Sequence, residues 1–457
     1  MRSRFLQATR SFVYAVALAA LVWFLLAPTG SQGAPSANAR LAPAAVPPPV
    51  FAPDTQPEDR ELFMQAARTA WAYIDREYQP ATGLVNSVQG YAYATVWDMA
   101  SGLAALYSAN QLGLLPDDEY DRRMSRALRT LGELRLFEGA AFNKNYRTTT
   151  GAVAGRDDRD RRVDERGYGW SAIDIGRMLV WLHVIRRTQP QHAADAEAVA
   201  RRLDFGKLVE GGYLWGQTVG RNGRSRRYPE GRIPYEQYAA AGYAAWGHRA
   251  DQAMSLAENA MPIEVMGVPL VADKRGHEHM TSEPFVLLGL ELGWPQEMRD
   301  LALRMLDVQR ERHERTGVVT IVSEDAIPRP PHYFYYYAVN LHGRWFSIAT
   351  QTPGQRLESP RWVSAKAAYG WHALLPGDYT RRAVQGVARA EHAGRGWSSG
   401  VYEQTGQPTG AENVNTAGVI LEAALYRLRG GRPLAEPAPA PAAASAPAAH
   451  TSRPATP

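Results

Sequence analysis

Carboxylates and aromatic side chains occur together in a few segments of this chain, and these residue types are the most able to carry chemistry. The acids stand in loops or at the starts of apolar helical stretches: Asp98, Glu165, Asp174, Glu236, Glu283, Glu324, Asp325, Glu403 and Glu412. The aromatic residues of the same segments are Tyr91, Tyr93, Trp97, Tyr168, Trp170, Trp215, Tyr235, Tyr333, Phe334, Tyr335, Tyr336, Tyr337, Trp345 and Trp397. Acids set between aromatic rings are typical of a polysaccharide cleft, where one carboxyl is a protonated general acid and another is an ionised base or nucleophile.

Four of these acids also have a purely structural alternative. Asp98 lies one turn into an apolar helical stretch, where it either caps the helix or points into an axial cavity. Asp174 could pair with Arg177, three residues later on the same helix. Glu236 and Glu283 could each stabilise the first turn of the helix that they open, because an acid there opposes the helix dipole.

The longest loop, Thr316–Pro360, contains Glu324 just before the run Tyr333–Tyr337. Burial among aromatic rings raises the pKa of a carboxyl, so we predict Glu324 as the general acid, with Asp98 or Glu283 activating water across the cleft. The residues predicted to bind substrate are Trp97, Asp174, Tyr235, Glu236, Tyr333, Tyr335 and Trp397. A loop of this length is usually functional or disordered, and its aromatic content argues against disorder. We predict that it folds over the mouth of the site.

Several other chemistries are excluded by what the sequence lacks. The chain has no cysteine, which excludes disulfides, thiol nucleophiles and thiolate zinc sites. It contains no phosphate-binding loop and no HExxH zinc motif. His277 and His279 flank Glu278 without the helical spacing of a zinc protease, so a solvated loop is predicted there. No metal and no other cofactor is predicted, although loop carboxylates leave a bound Ca²⁺ open.

Two kinds of helical stretch alternate along the chain and must position these residues. Charged stretches with one apolar stripe are predicted at 58–77, 117–134, 191–203, 250–259, 296–314 and 377–390. Apolar stretches rich in small residues are predicted at 96–113, 170–187, 236–247, 282–292, 361–374 and 413–428. The first of these carries a single charge, Asp98, and a helix without a polar face is a buried helix.

The connections alternate as regularly as the helices. Each charged stretch leads into its apolar partner through a long loop rich in glycine and aromatic residues, whereas each apolar stretch returns within a few residues. Six hairpins with all their long loops at one end predict an all-α fold, an (α/α)6 toroid. The functional loops then lie on one rim, where short β-ribbons are predicted at 212–219 and 317–323.

The two ends of the chain differ from its body. Residues 1–39 are predicted as a signal peptide or a membrane anchor, because arginines precede the apolar run Phe12–Ala27. This run is just short of the roughly 17–25 residues that span a bilayer. Residues 40–57 are predicted as a linker, 58–430 as the barrel domain and 431–457 as a disordered tail rich in alanine and proline. The predicted location is the periplasm or the exterior, with inner-membrane anchoring as the alternative.

The formal charge of +5 lies mostly outside the predicted barrel. Arg2, Arg4, Arg10 and Arg40 supply four of these charges, and the barrel region is left with about +1. A nearly neutral body is a poor match for a polyanion, so nucleic acid is not a predicted partner. The predicted partner is an oligo- or polysaccharide.

Several strings of the sequence carry a family resemblance. They include AARTAWAYIDREYQPATGLVNSV, VWDMASGLAALYSANQLGLL, GWSAIDIGRMLVWL, IPYEQYAAAGYAAWG, TSEPFVLLGLELG and NVNTAGVILEAALYRL. In their order and spacing the chain resembles the bacterial family DUF3131 over residues 58–430, and it is more distantly similar to glucoamylase-like glucanases with an (α/α)6 barrel. The distant resemblance implies an inverting hydrolase of bacterial β-glucans.

Two functions from different classes are therefore expected. The first is an exported glycoside hydrolase, or a related polysaccharide-processing enzyme, that acts on a bacterial glucan or exopolysaccharide with a carboxylate pair. The second is a non-catalytic glycan-binding or scaffold protein that assists polysaccharide export. Two unpaired carboxyls that face one cavity favour the enzyme, whereas acids that are all engaged by arginines favour the binding protein.

Overall fold

The computed structural model describes residues 57–155, 166–220, 222–275, 280–339, 345–350 and 356–437, all within one compact unit. The predicted signal peptide or anchor, nearly all of the linker and the triplet His277–His279 lie outside these residues. In chain order the helices are α1 (Pro57–Glu77), α2 (Val96–Gln111), α3 (Asp117–Glu133), α4 (Ala172–Thr188), α5 (Ala193–Ala200), α6 (Phe205–Leu208), α7 (Tyr235–Ala244), α8 (Asp251–Met254), α9 (Leu256–Asn259), α10 (Glu283–Glu291), α11 (Gln296–Thr316), α12 (Ala365–Leu374), α13 (Asp378–Gly386) and α14 (Val414–Leu428).

Six of these helices form a closed inner ring. Following the chain, α2 packs on α4, α4 on α7, α7 on α10, α10 on α12 and α12 on α14, and α14 packs back on α2. The helices α1, α3, α5, α8 with α9, α11 and α13 lie outside the ring. The protein is therefore an (α/α)6 toroid, as the alternation of helical stretches predicts.

Composition explains which helices lie inside. The residues of α2 from Val96 to Ala109 are all buried, whereas α3 buries one stripe that includes Met124 and Leu128. Small residues let the inner helices approach closely. A Cβ on Gly176 of α4 would lie 2.5 Å from the Ala239 Cβ of α7, so only glycine fits at this crossing.

Short antiparallel strands occupy the loops that precede the inner helices. They are β1 (Tyr93–Thr95), β2 (Leu136–Phe137), β3 (Ala141–Phe142), β4 (Asn145–Arg147), β5 (Gly169–Trp170), β6 (Val209–Glu210), β7 (Tyr213–Val219), β8 (Ser225–Pro229), β9 (Ala260–Val265), β10 (Val268–Asp273), β11 (Glu324–Ala326), β12 (Tyr333–Tyr337), β13 (Ser347–Thr350), β14 (Arg356–Leu357), β15 (Trp362–Ser364), β16 (Glu391–His392), β17 (Gly396–Trp397) and β18 (Gly400–Tyr402). The largest assemblies are two four-stranded sheets, β11-β12-β13-β14 and β5-β7-β6 with β8 paired to β7.

Two local expectations differ from the structure. The stretch 250–259 forms two one-turn helices, since the chain is extended at Ser255. The ribbon at 212–219 is present, but 317–323 is not a strand. There the backbone has other partners: Val322 N–H donates to Gln309 Oε1 at 2.8 Å, and Ile321 O accepts from Ser364.

The start of the predicted disordered tail is part of the fold. Leu434 is fully buried, and the N–H groups of Leu434 and Ala435 donate to the carbonyls of Leu290 and Glu291 at the end of α10. These bonds satisfy carbonyls that a helix end leaves unpaired. Residues 438–457 lie outside the described part of the chain. None of the helices in the described ranges is both long enough and apolar enough to traverse a bilayer.

Candidate active site at the loop end of the toroid

The first turns of the inner helices bring acids from distant parts of the sequence to one end of the ring. Asp98, Asp174, Glu236 and Glu283 each lie in such a first turn, on α2, α4, α7 and α10. Glu324 joins them from strand β11, which starts the loop after α11. The site predicted from sequence is thus assembled by five separate loops.

Asp174 and Glu230 form the most exposed pair of acids at this end, and both are half-buried. The Ser171 Oγ lies 3.1 Å from Asp174 Oδ1 and 3.2 Å from Glu230 Oε2. The two carboxylate oxygens are therefore separated by no more than the sum of these distances. Among the described residues neither acid has a salt bridge, although Lys144 is close enough to lower both pKa values.

This pair is arranged to hold a proton. A serine hydroxyl has one hydrogen, so Ser171 can donate to only one of the two carboxyls, and the second close contact needs a proton on an acid. Burial, followed by the charge of Glu230, raises the pKa of Asp174 to about 7. Burial also raises the pKa of Glu230, but the Ile173 N–H, 2.9 Å from its Oε2, opposes this. The proton of the pair is consequently assigned to Asp174, which keeps it to a higher pH than an ordinary aspartate does.

Asp98 caps the start of α2, which is the structural alternative given above, and its carboxylate also faces the other acids. Its Oδ2 accepts the backbone N–H and the hydroxyl of Thr95, both at 2.9 Å, which completes a capping box at the start of α2. Its Oδ1 accepts from Asn415 at 2.8 Å. Burial raises the pKa of Asp98, these hydrogen bonds oppose the rise, and the charge of Glu283 adds to it.

Lys366 holds a second group of acids together. Its Nζ donates to Glu283 Oε2 at 2.7 Å and to the Glu324 carbonyl at 2.6 Å, and lies 3.5 Å from Asp325 Oδ1. Burial lowers the pKa of Lys366, but the charges of Asp325 and Glu283 outweigh that effect and raise it. Glu283 also accepts the indole N–H of Trp97 at 3.2 Å. Glu283 and Lys366 therefore form a buried ion pair.

Glu324 lies beside Arg232, whose Nη1 is 2.7 Å from Glu324 Oε1. The Tyr333 hydroxyl is 3.5 Å from Oε2. Burial raises the pKa of Glu324 to about 7, while Arg232 acts in the opposite direction. Lys366 contacts both Glu283 and the Glu324 carbonyl, so this loop reaches the first turn of α10. The arginine favours the ionised form of Glu324, whereas Asp174 has no ion pair among the described residues.

Glu236 is fully buried and is engaged from outside the ring. Arg275 Nη2 lies 2.7 Å from Glu236 Oε2 and 2.6 Å from Asp273 Oδ2. Burial raises the pKa of Glu236 to about 7, and Arg275 opposes the rise. This acid joins α7 to the β9–β10 hairpin.

The pairing of Asp174 with Arg177, the structural alternative for this acid, does not form. Arg177 is fully buried and lies 3.4 Å from Glu291 Oε1 and 3.2 Å from Glu422 Oε1, on α10 and α14. Its guanidinium also stacks over the Trp97 ring at 4.9 Å. Arg177 therefore joins three inner helices and leaves Asp174 to its pairing with Ser171 and Glu230.

Four of the aromatic residues predicted to bind substrate lie at this end of the ring. Trp97 and Tyr235 are nearly buried and pack together, with ring centroids 5.5 Å apart. Tyr333 and Tyr335 are half-buried neighbours on β12, and Arg232 stacks over Tyr235 at 4.0 Å. Half-buried rings beside acids retain a face that a sugar ring could contact.

Trp397 is the exception, and its predicted role is wrong. Its side chain is 1% exposed, its indole N–H donates to the Ala66 carbonyl of α1, and its ring packs against Tyr369. It fills the space between outer and inner helices and presents no surface to a ligand. A Gly-Trp pair after a turn does not reveal which side of the loop the ring will take.

Sequence reasoning missed three residues that organise the site. Glu230 directly follows β8 and stands just before α7, the same kind of position that identified the other acids. Lys366 is a cation in the first turn of an apolar helix, where it opposes the helix dipole and so needs an acidic partner. No pattern in the sequence indicates the role of Arg232, since that role depends on the path of a loop. Among the described residues, no cluster of histidine, aspartate or glutamate could hold a metal ion.

Residues 65–430 match the model of DUF3131, a protein family of unknown function. The chain belongs to the DUF3131 family. No curated protein is similar enough in sequence to be matched to this DUF3131 protein. The family description names no reaction, so the site must be interpreted from its own residues.

Solved structures share the toroid. An endo-β-1,2-glucanase from Chitinophaga pinensis, in complex with sophorotriose and glucose, is 13% identical, with a TM-score of 0.58 over 82% of this chain and 94% of that one. A predicted glucoamylase from Bacteroides fragilis is 16% identical, with a TM-score of 0.59 over 83% and 94%. A cellobiose 2-epimerase from Spirochaeta thermophila is 12% identical, with a TM-score of 0.51 over 82% and 98%. At these identities the similarity shows the fold, which serves more than one reaction.

Proposed function

We propose that this DUF3131 protein is an exported glycoside hydrolase that cleaves a glucan. The observation that carries the proposal is the pair Asp174–Glu230, which shares one serine hydroxyl and has no salt bridge among the described residues. Glycoside hydrolysis needs one carboxyl that is protonated near neutral pH and another that is ionised. The glucanase among the solved structures with this fold supports a β-glucan as the substrate.

Asp174 is the proposed general acid. Its pKa is raised to about 7, and its Oδ2 has no partner in the described part of the chain, so that atom is available to a glycosidic oxygen. Glu230 is a positioning residue, because its negative charge keeps the proton on Asp174 and its own carboxylate is fixed by the Ile173 N–H. Protonation of the leaving oxygen by such an acid typically contributes about 10²–10⁴-fold to the rate.

Glu283 is the proposed base. Its Oε2 forms an ion pair with Lys366 Nζ at 2.7 Å, and it belongs to α10, a different inner helix from the one that carries Asp174. Helix α7 packs on both α4 and α10, so one inner helix separates the helix of the acid from the helix of the base. A base well separated from the acid leaves room for a water molecule, and the product should then have the inverted anomeric configuration.

The proposal is tested with purified protein and a panel of glucans that differ in linkage, including β-1,2-, β-1,3- and β-1,4-linked chains. We expect reducing ends from at least one β-linked glucan, and a loss of about 100-fold or more in Asp174→Asn. Asp195→Asn, an exposed acid on α5, is the matched control and should leave the rate unchanged. Full activity in Asp174→Asn would refute the assignment of the acid.

A second function, glycan binding without hydrolysis, has its own supporting observation. Glu236, Glu283 and Glu324 are each engaged by a cation, as expected of acids that serve only as structural anchors. Calorimetric binding of oligosaccharides without any released reducing ends would favour this function. Release of reducing ends that depends on Asp174 would exclude it.

A further inference from the structure

Two β-ribbons form one wall above the acid pair, and their cleft-facing sides can be read from the strand registers. In the β1–β4 ribbon, Tyr93 pairs with Arg147 and Thr95 with Asn145, so these four side chains share a face. Thr95 bonds to Asp98, which places this face toward the site. Tyr93 and Arg147 lie two residues further along, about 7 Å farther from the acids.

The β7–β8 ribbon repeats this arrangement. Tyr228 and Arg226 are two residues apart and share one face of β8. The Tyr228 hydroxyl lies 3.3 Å from Glu230 Oε1. Arg226 stacks over the Tyr228 ring at 5.7 Å, just as Arg147 stacks over the Tyr93 ring at 5.0 Å. Each ribbon thus carries a polar contact to an acid and, on the same face, a tyrosine with an arginine stacked over its ring.

Lys144 joins the two ribbons. Its backbone N–H donates to the Gly169 carbonyl on β5, and β5 pairs with β7, so the wall is continuous from β1 to β8. Its Nζ lies 3.4 Å from the Tyr228 hydroxyl and 5.8 Å from the Tyr168 ring centroid. Three cations and three tyrosines therefore border the cleft on the side of Asp174 and Glu230.

Neither Arg147 nor Arg226 has a carboxylate partner among the described residues. An arginine on a plain surface needs none, but these two stack on aromatic rings that line the way to the site. Stacking keeps a guanidinium in place and leaves its N–H edge free for an anion. A neutral glucan offers such an edge no charged partner.

We propose that this wall binds an anionic group of the glycan, so that the preferred substrate is an acidic polysaccharide and not a neutral glucan. The anion is a carboxylate, carried by a uronic acid residue or by an ester-linked acidic substituent. The inference rests on the proposed function of the cleft and specifies its substrate class. Arg147 and Arg226 are assigned the anion contacts, and the tyrosines beneath them the sugar rings.

The test compares three oligosaccharides of equal length: a neutral gluco-oligosaccharide of the cleaved linkage, its C6-oxidised form and its succinylated form. Binding is measured by calorimetry in Asp174→Asn protein at low and high salt, so hydrolysis does not interfere. We expect at least one acidic form to bind roughly 3- to 10-fold more tightly than the neutral form, with the preference largely lost in 0.5 M NaCl. The oxidised form would identify a uronate, and the succinylated form a substituent.

Substitutions in the wall test whether it causes the preference for acidic oligosaccharides. Arg147→Gln/Arg226→Gln should reduce the ratio of acidic to neutral affinity to about one. Arg227→Gln is the matched control, because Arg227 lies on the same strand but on the opposite face, where it pairs with Glu210; it should keep the ratio. Equal affinity for neutral and acidic ligands, or an unchanged ratio in the double variant, would overturn the inference. Hydrolysis of neutral glucan with no acidic preference would do so while leaving the proposed function intact.

Discussion

Replacing Asp174 by asparagine should stabilise the protein at alkaline pH while it removes the proposed general acid. Asp174 has an ordinary pKa of 3.8 and a folded-state pKa of about 7. The folded state therefore binds a proton more tightly than the unfolded state between these values, and the wild-type protein loses stability as pH rises from about 4 to about 7. Asparagine cannot ionise, so the variant escapes this loss.

The size of the effect follows from the shift. About three pKa units at about 1.4 kcal/mol each give an upper bound of about 4 kcal/mol above pH 7. The side chain is half-buried and partly solvated, so we expect about 2–4 kcal/mol. For a domain of this size that corresponds to a Tm difference of about 3–5 °C.

The assay is thermal and urea unfolding of wild type, Asp174→Asn and Asp195→Asn at pH 5 and pH 8. The stability advantage of Asp174→Asn over wild type should be larger at pH 8 than at pH 5, because much of the loss in the wild type falls between these two pH values. Asp195→Asn should show no such change between the two pH values. An Asp174→Asn protein that is equally or less stable than wild type at pH 8 would refute the reasoning that the pair holds a proton.

Three further predictions concern other parts of the site and fold. Lys366→Met leaves Glu283 and Asp325 buried without their cation and should lower the free energy of unfolding by about 3–5 kcal/mol, as measured by urea titration; a loss below 1 kcal/mol would contradict the contacts described. Tyr335→Ala should weaken oligosaccharide binding by about 1–3 kcal/mol in calorimetry, and an unchanged Kd would remove this ring from the cleft. Leu434→Ala should lower stability by about 2–5 kcal/mol, whereas a variant as stable as wild type would show that the segment after α14 is not docked.

The helical architecture could be predicted from the sequence because the burial of each helix determines its pattern of apolar and charged residues. A stretch such as Val96–Gln111, with one charge in sixteen residues, has to be covered on every side, and short returns fix which helices are neighbours. The acids in the first turns of these helices were found for the same reason. A helix start is visible in sequence, and the toroid brings all such starts to one end.

The partners of these acids could not be predicted, because they come from irregular loops. The sequence allowed Asp174 to pair with Arg177 on its own helix, yet Arg177 instead joins Glu291 and Glu422 across the ring. Glu230 lies at the end of a ribbon whose path depends on the β7–β8 register. The choice between Glu324 and Asp174 as the acid likewise depended on which carboxyl Arg232 reaches.

We propose that Asp174 delivers a proton to the leaving oxygen of a glycosidic bond. The decisive measurement compares substrates whose leaving groups differ in how much they depend on protonation. Once the cleaved linkage is known, wild type and Asp174→Asn are compared on the natural oligosaccharide and on the 2,4-dinitrophenyl glycoside of the same sugar, whose leaving group departs without protonation. The account predicts a loss in kcat/KM of about 100-fold or more on the natural substrate and less than about 10-fold on the activated one. Equal losses on both substrates would contradict it.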